Sequence, residues 1–189
     1  MLPPGDRKES TPKPTRVLIA DPDGSLLAAY RDFLSRNGFD VLTAPDGLRC
    51  LKALRCFKPD VLILELDMPW GGGIGVLEVM HEQLDVPLVP VLVLTSRQDP
   101  ESLEEVTAFK MVSRYHVKPL APDQLAKLIR TVEEESLLAE DRRSAVLAEA
   151  SRRARRRSHV GTHHALLGAI ADQRSSRPSE KTEPALCGS

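Results

Sequence analysis

Residues 58–69 read KPDVLILELDMP. The run from residue 60 to 66 (DVLILEL) is apolar at nearly every position rather than at every second one. That is how a strand covered on both faces reads, since neither side can be left polar. Similar strand-like runs lie on either side: Arg16–Ala20 (RVLIA), 39–43 (FDVLT), 89–94 (VPVLVL) and Val112–Val117 (VSRYHV). Between them stand helical patterns at roughly 24–37, 46–57, 74–84 and 100–109. A fifth helix begins near Pro122, because proline is well tolerated in a first turn. Five strands alternating with five helices predict an α/β fold, a doubly wound five-stranded parallel sheet with right-handed crossovers. Ligands of such a sheet sit beyond the carboxyl ends of its strands.

The remaining composition narrows the class. The chain has 189 residues, 41% of them hydrophobic, which suits one domain with extensions. No stretch approaches the ~20 apolar residues of a membrane span. The start, MLPPGDRKES, lacks the apolar segment of a signal peptide. No membrane contact and a cytoplasmic location are therefore expected. Cys50, Cys56 and Cys187 have no metal-ligand spacing and are too few for a disulfide framework, so reduced thiols are expected, with the first two as packing residues. A net charge of −1 hides an asymmetry: residues 16–135 carry 13 basic and 19 acidic side chains, residues 136–189 carry 10 and 6.

The chain divides by composition into a proline-rich disordered leader (1–15), an α/β domain (16–133), a basic helical extension (134–173) and a disordered tail (174–189). One helix from about 122 to 157 is expected, with a separate helical patch at 163–171. A stripe of Leu125, Ile129, Val132, Ala139, Val146 and Ala150, broken by Ser136 and Arg143, is a weak coiled-coil signal.

The strand ends hold the candidate chemistry. Strand one ends in Asp21-Pro22-Asp23, strand three in Glu65 followed by Leu66-Asp67-Met68-Pro69, strand four in Thr95-Ser96, and strand five in Tyr115-His116-Val117-Lys118-Pro119. Carboxylates gathered there suit Mg2+, which takes oxygen ligands, and Thr and Lys suit phosphoryl oxygens. Any one of these acids reads equally well as a solvated loop residue or a helix cap. Four strand ends agreeing is a stronger signal.

On these motifs residues 16–133 resemble the receiver domain of two-component response regulators: RVLIAD, PDVLILELDMP, VLVLTS and YHVKPL fall at that family's spacing. The resemblance implies a flavodoxin-like receiver fold and a partner that is a sensor histidine kinase or another signalling protein. It implies two acids at the end of strand one as Mg2+ ligands; Asp21 matches the first, Pro22 stands at the second, and Asp23 follows. The phosphate-accepting aspartate is implied at position 65, which is Glu, with a backbone metal contact from Asp67. Thr95 and Lys118 match the residues that hold the phosphoryl group, and Tyr115 matches an aromatic switch.

Two departures bear on mechanism. Glu65 is one methylene longer than aspartate, so its carboxylate reaches past the acceptor position toward Lys118, and a misplacement of ~1 Å can cost ~100-fold in rate. Pro22 removes an anionic ligand, so Mg2+ at Asp21, Asp23, Glu65 and Asp67 is expected to be weak or absent. Three alternatives remain at this level: Glu65 pairs with Lys118 and partly imitates a phosphorylated site, the domain is an inert relic or a pure docking module, or the acceptor has moved to Asp67. No enzyme activity is expected in any of them.

Other signals are weaker. Glycines at 71–73 and 75 lack G-x-G-x-x-G spacing and are expected to form a loop beside the site. His163-His164 lack a ligand set. Arg142, Arg143, Arg152, Arg153, Arg155, Arg156 and Arg157 could neutralise nucleic-acid phosphates. With no interleaved aromatic and no recognition-helix pattern, a solvated helix face, an electrostatic contact with the acidic body, or weak nonspecific nucleic-acid binding are the alternatives. Oligomeric state is open.

Overall fold

The computed structural model describes residues 13–174, with side chains described through residue 153. The apolar run of the third strand becomes β3 (Val61–Leu64), whose four residues are at most 2% exposed. It is the central strand of a five-stranded sheet that also contains β1 (Arg16–Ala20), β2 (Asp40–Ala44), β4 (Val91–Thr95) and β5 (Val112–Val117). Every pairing is parallel and the order is β2-β1-β3-β4-β5.

Alternation along each strand divides the core in two, because successive side chains point to opposite faces. Leu18, Leu62, Leu64 and Val93 face one way, against Cys50 and Leu54 of α2 (Gly47–Phe57) and Val76, Leu77 and Met80 of α3 (Gly72–Glu82). Val106 of α4 (Pro100–Thr107) joins that layer. Val17, Ile19, Ile63 and Leu92 face the other way, against Leu27, Tyr30 and Leu34 of α1 (Gly24–Arg36) and Leu125, Ile129 and Val132 of α5 (Pro122–Arg174). Each such side chain contributes about 1.5–3 kcal/mol on full burial. The doubly wound parallel sheet expected from the sequence is therefore the fold.

Several boundaries differ from expectation. β3 stops at Leu64, so residues 65 and 66 belong to the loop, where Glu65 turns its carboxylate back to hydrogen-bond the backbone of Leu66. α3 starts at Gly72, so most of the expected glycine loop is helix instead. Gly73 allows this: a Cβ there would lie 2.5 Å from the Glu65 carbonyl oxygen, a distance only a side chain of hydrogen escapes. The 122–157 helix and the 163–171 patch are one element, α5. Residues through Leu138 form one unit and those from Ala139 a second. In the first unit Leu125, Ile129 and Val132 are buried on the sheet, so the first half of the coiled-coil stripe is core packing.

Most of the expected leader and tail (1–12, 175–189), with Cys187, lies outside the described residues. Thr15 does not belong to a loose leader, since its hydroxyl reaches both Glu133 carboxylate oxygens at 2.9 and 2.8 Å and its carbonyl accepts from Asp40. Cys50 is buried, and burial pushes its thiol up to about 12. Cys56 is exposed and is not a packing residue. Among the described residues no helix is long and apolar enough to cross a membrane.

Candidate functional site at the carboxyl edge of the sheet

Parallel pairing brings the ends of β1, β3, β4 and β5 to one edge, and with them side chains up to 97 residues apart. Asp21 follows β1 and is 3% exposed. Its Oδ1 accepts from the Asp23 backbone N–H at 2.9 Å, and its Oδ2 lies 2.5 Å from Lys118 Nζ. Glu65 follows β3 and is 2% exposed. Thr95 ends β4 and is fully buried. Asp21, Glu65 and Lys118 border a cavity of about 400 Å³, whose apolar wall includes Pro22, Leu26 and Tyr30. The Tyr30 hydroxyl donates to the Leu120 carbonyl at 2.7 Å.

The Glu65 carboxylate is the hub. Its Oε1 accepts from Thr95 Oγ1 at 2.5 Å and from the backbone N–H groups of Leu66 and Asp67 at 2.7 and 3.0 Å. Its Oε2 accepts from Lys118 Nζ at 2.7 Å and from the Ser96 N–H at 3.2 Å. Burial pushes the carboxyl up, but the hydrogen bonds from Lys118, Thr95 and the Asp67 backbone outweigh that and hold it below the usual carboxylate range. Burial likewise pushes Lys118 down, yet its bonds to Asp21 and Glu65 leave it raised. The arrangement keeps the Glu65 carboxylate ionised beside the Lys118 ammonium.

Not every candidate joins this cluster. Asp23 is exposed and caps α1, its Oδ1 accepting from the Ser25 and Leu26 N–H groups at 2.9 and 3.1 Å. The Asp67 side chain points to Arg97, 2.7 Å from Nη2. Tyr115 is half-buried and donates its hydroxyl to the Arg97 carbonyl at 3.0 Å. Arg97 itself was not legible as a site residue, because its partner lies 30 positions away and no local pattern marks the pair. Gly73 was expected in a loop beside the site, but its close approach to the Glu65 carbonyl was not legible.

A parallel sheet with this strand order, and with carboxylates, a hydroxyl and a lysine collected at its carboxyl edge, defines a receiver-type fold. The family model described as "Response regulator receiver domain" matches residues 17–130, and the chain belongs to that family. Among curated relatives, "DNA-binding response regulator MtrA" of Mycobacterium tuberculosis is 32% identical over 116 residues, which are 61% of this chain and 49% of that protein. "Alkaline phosphatase synthesis transcriptional regulatory protein PhoP" of Bacillus subtilis is 28% identical over 125 residues, 66% of this chain and 50% of that protein. The chain thus spans about half the length of the curated relatives it matches. Among solved structures, chemotaxis protein CheY4 of Vibrio cholerae aligns with a TM-score of 0.58 at 28% identity, covering 63% of this chain and 98% of that one. The receiver domain of the Francisella response regulator 1452 gives 0.58 at 24%, covering 65% and 98%, which shows the fold alone.

Receiver domains hold Mg2+ at this edge, so the donors here can be tested against that ion. Lys118 stands between Asp21 and Glu65, Arg97 engages Asp67, Asp23 caps a helix, and Pro22 offers no side-chain oxygen. Among the described residues no three His, Cys, Asp or Glu side chains converge on a point that could hold a metal. As arranged, these side chains do not fit Mg2+.

Proposed function

We propose that this chain is a response-regulator-like signalling protein of a two-component phosphorelay whose site is held by Glu65 rather than switched by phosphoryl transfer. One observation supports it above the rest: Glu65 occupies, with its own carboxylate, the donors that the family uses for a phosphoryl group, namely Thr95 Oγ1 at 2.5 Å and Lys118 Nζ at 2.7 Å. The group is already anionic and already bonded to both, so the site needs no donor to reach this arrangement. In this reading residues 16–133 act without catalysis of their own, by contact with a sensor histidine kinase or another cytoplasmic signalling protein, and Mg2+ is not held.

The test is incubation with acetyl phosphate and Mg2+ followed by mass spectrometry of the intact chain. No acid-labile adduct is expected on the wild type. A stoichiometric adduct mapped to residues 60–70 would sink the proposal. The double variant Glu65→Asp with Pro22→Asp is expected to become phosphorylated, since it shortens the side chain and restores the second acid while Thr95 and Lys118 stay in place.

The basic extension supplies a second reading, as a nucleic-acid-associating protein with the receiver as scaffold. What favours it is that Arg142, Arg143, Arg152 and Arg153 are all exposed. Against it, Arg153 already pairs with Glu149 at 2.6 Å. Binding to random-sequence DNA is expected to be weak, to fall as salt rises with a log–log slope of about −0.9 per phosphate neutralised, and to be lost before salt reaches ~0.2 M. Gln at positions 152, 153, 155, 156 and 157 should abolish it. Sequence-specific binding that survives physiological salt would overturn this expectation and favour the second reading.

A further inference from the structure

Arg97 is not used by the proposal above, yet it contacts the loop after β3, the end of β4, α4 and β5. Its Nε and Nη2 donate to Asp67 Oδ1 at 2.8 and 2.7 Å, and its Nη1 donates to Ser102 Oγ of α4 at 3.3 Å. Its backbone N–H donates to Thr95 Oγ1 at 3.2 Å, and its carbonyl accepts from the Tyr115 hydroxyl at 3.0 Å. Thr95 Oγ1 and the Asp67 N–H in turn both donate to Glu65 Oε1. Glu65, Thr95, Arg97 and Asp67 therefore close a ring of hydrogen bonds. Tyr115 hangs on that ring at the Arg97 carbonyl, and α4 hangs on it at the guanidinium.

A lone exposed ion pair does little, because solvent screens it and two side chains must be ordered to make it. This pair does more by geometry. Among the described hydrogen bonds, the loop after β3 and the loop after β4 are otherwise joined only through Glu65. Arginine also suits the position, since its planar fork offers two nitrogens to Asp67 while a third reaches Ser102, which lysine cannot do. The Ser102 side of the contact is firm, as that residue is 4% exposed.

We propose that Arg97 is a positioning residue that latches the loop after β4, so that the hold of Glu65 on Thr95 is transmitted to the place of the Tyr115 ring. This rests on the reading of Glu65 given above. With the latch closed, Thr95, Tyr115 and α4 move as one unit. With it open, Thr95 stays bound to Glu65 while Tyr115 loses its fixed carbonyl acceptor.

The chain has two tyrosines, so the full-length protein labelled with 3-fluorotyrosine gives two fluorine signals, and Tyr30, bonded to the Leu120 carbonyl, is an internal reference. Arg97→Met is expected to shift or split the Tyr115 signal and leave the Tyr30 signal in place. Asp67→Asn is expected to reproduce the change, and the double variant to add nothing to either. A Tyr115 signal unmoved in both single variants overturns the latch, as does joint loss of both tyrosine signals, which would mean that Arg97 only supports the fold. Glu65→Gln separates the two claims. If it leaves Tyr115 in place while Arg97→Met moves it, the latch stands and the reading of Glu65 falls. If Glu65→Gln moves Tyr115 and Arg97→Met does not, the latch falls and the reading of Glu65 stands.

Discussion

Lys118→Met is expected to lower the unfolding free energy by about 3 kcal/mol, the lower end of what removing one partner of a buried ion pair costs. The lower end applies because the pair borders a cavity of about 400 Å³ that water can enter. The lysine side chain is 17% exposed, and the Asp21 and Glu65 side chains facing it are 5% and 3% exposed. Taking away the ammonium leaves two buried carboxylates facing each other with no counter-charge. Urea unfolding near pH 7 measures the loss, and a change below ~1 kcal/mol would show that the cluster is screened like a surface pair.

The pH dependence separates this cause from simple loss of packing. Glu65 is held below its ordinary 4.5, so the stability it contributes is present above that value and is lost as pH falls through the lower folded-state value. Lys118 is held above its ordinary 10.5, so its contribution is present below that value and is lost as pH rises through the folded-state value. These two groups therefore leave the wild type flat between these limits, and the alkaline fall begins earlier, near pH 9, where the Cys50 thiol ionises only in the unfolded chain. The deficit of the Lys118→Met variant should instead shrink on acidification through pH ~4.5, since Glu65 without the ammonium binds its proton more readily than in the wild type. An equal loss at both pH values would point to packing alone.

Gly73→Ala is expected to cost up to about 3 kcal/mol, the upper end for overpacking a filled site. A Cβ at Gly73 would meet the Glu65 carbonyl oxygen at 2.5 Å and the Leu66 Cα at 2.8 Å. Both are backbone atoms and cannot swing aside, so α3 must lift or the end of β3 must move, with Glu65 on it. Gly75→Ala is the control: it has open space around it and gains up to ~1 kcal/mol of helix propensity. Thermal unfolding of the two variants should move in opposite directions. Equal shifts would remove the close approach as the reason for glycine at 73.

The sheet was legible because its signal is local. A short run such as VLIL at 61–64, rich in β-branched residues and preceded by Pro59, reads as a strand covered on both faces. Alternation with helices then gives parallel pairing and puts strand ends on one edge. The same locality made Asp21, Glu65, Thr95 and Lys118 visible as candidates, each at the end of its own strand, and made Asp23 visible as a cap. What a short pattern cannot carry is which long-range pair forms. That Lys118 is shared between Asp21 and Glu65 depends on strand register across the sheet, and that Asp67 goes to Arg97 depends on two loops meeting. The length of Glu65 was evident from one letter of sequence; where its carboxylate comes to rest was decided by Thr95 and Lys118 arriving from other strands. The burial of Leu125, Ile129 and Val132 against the sheet was decided in the same way. Periodicity marks an apolar face, but only packing says what covers it.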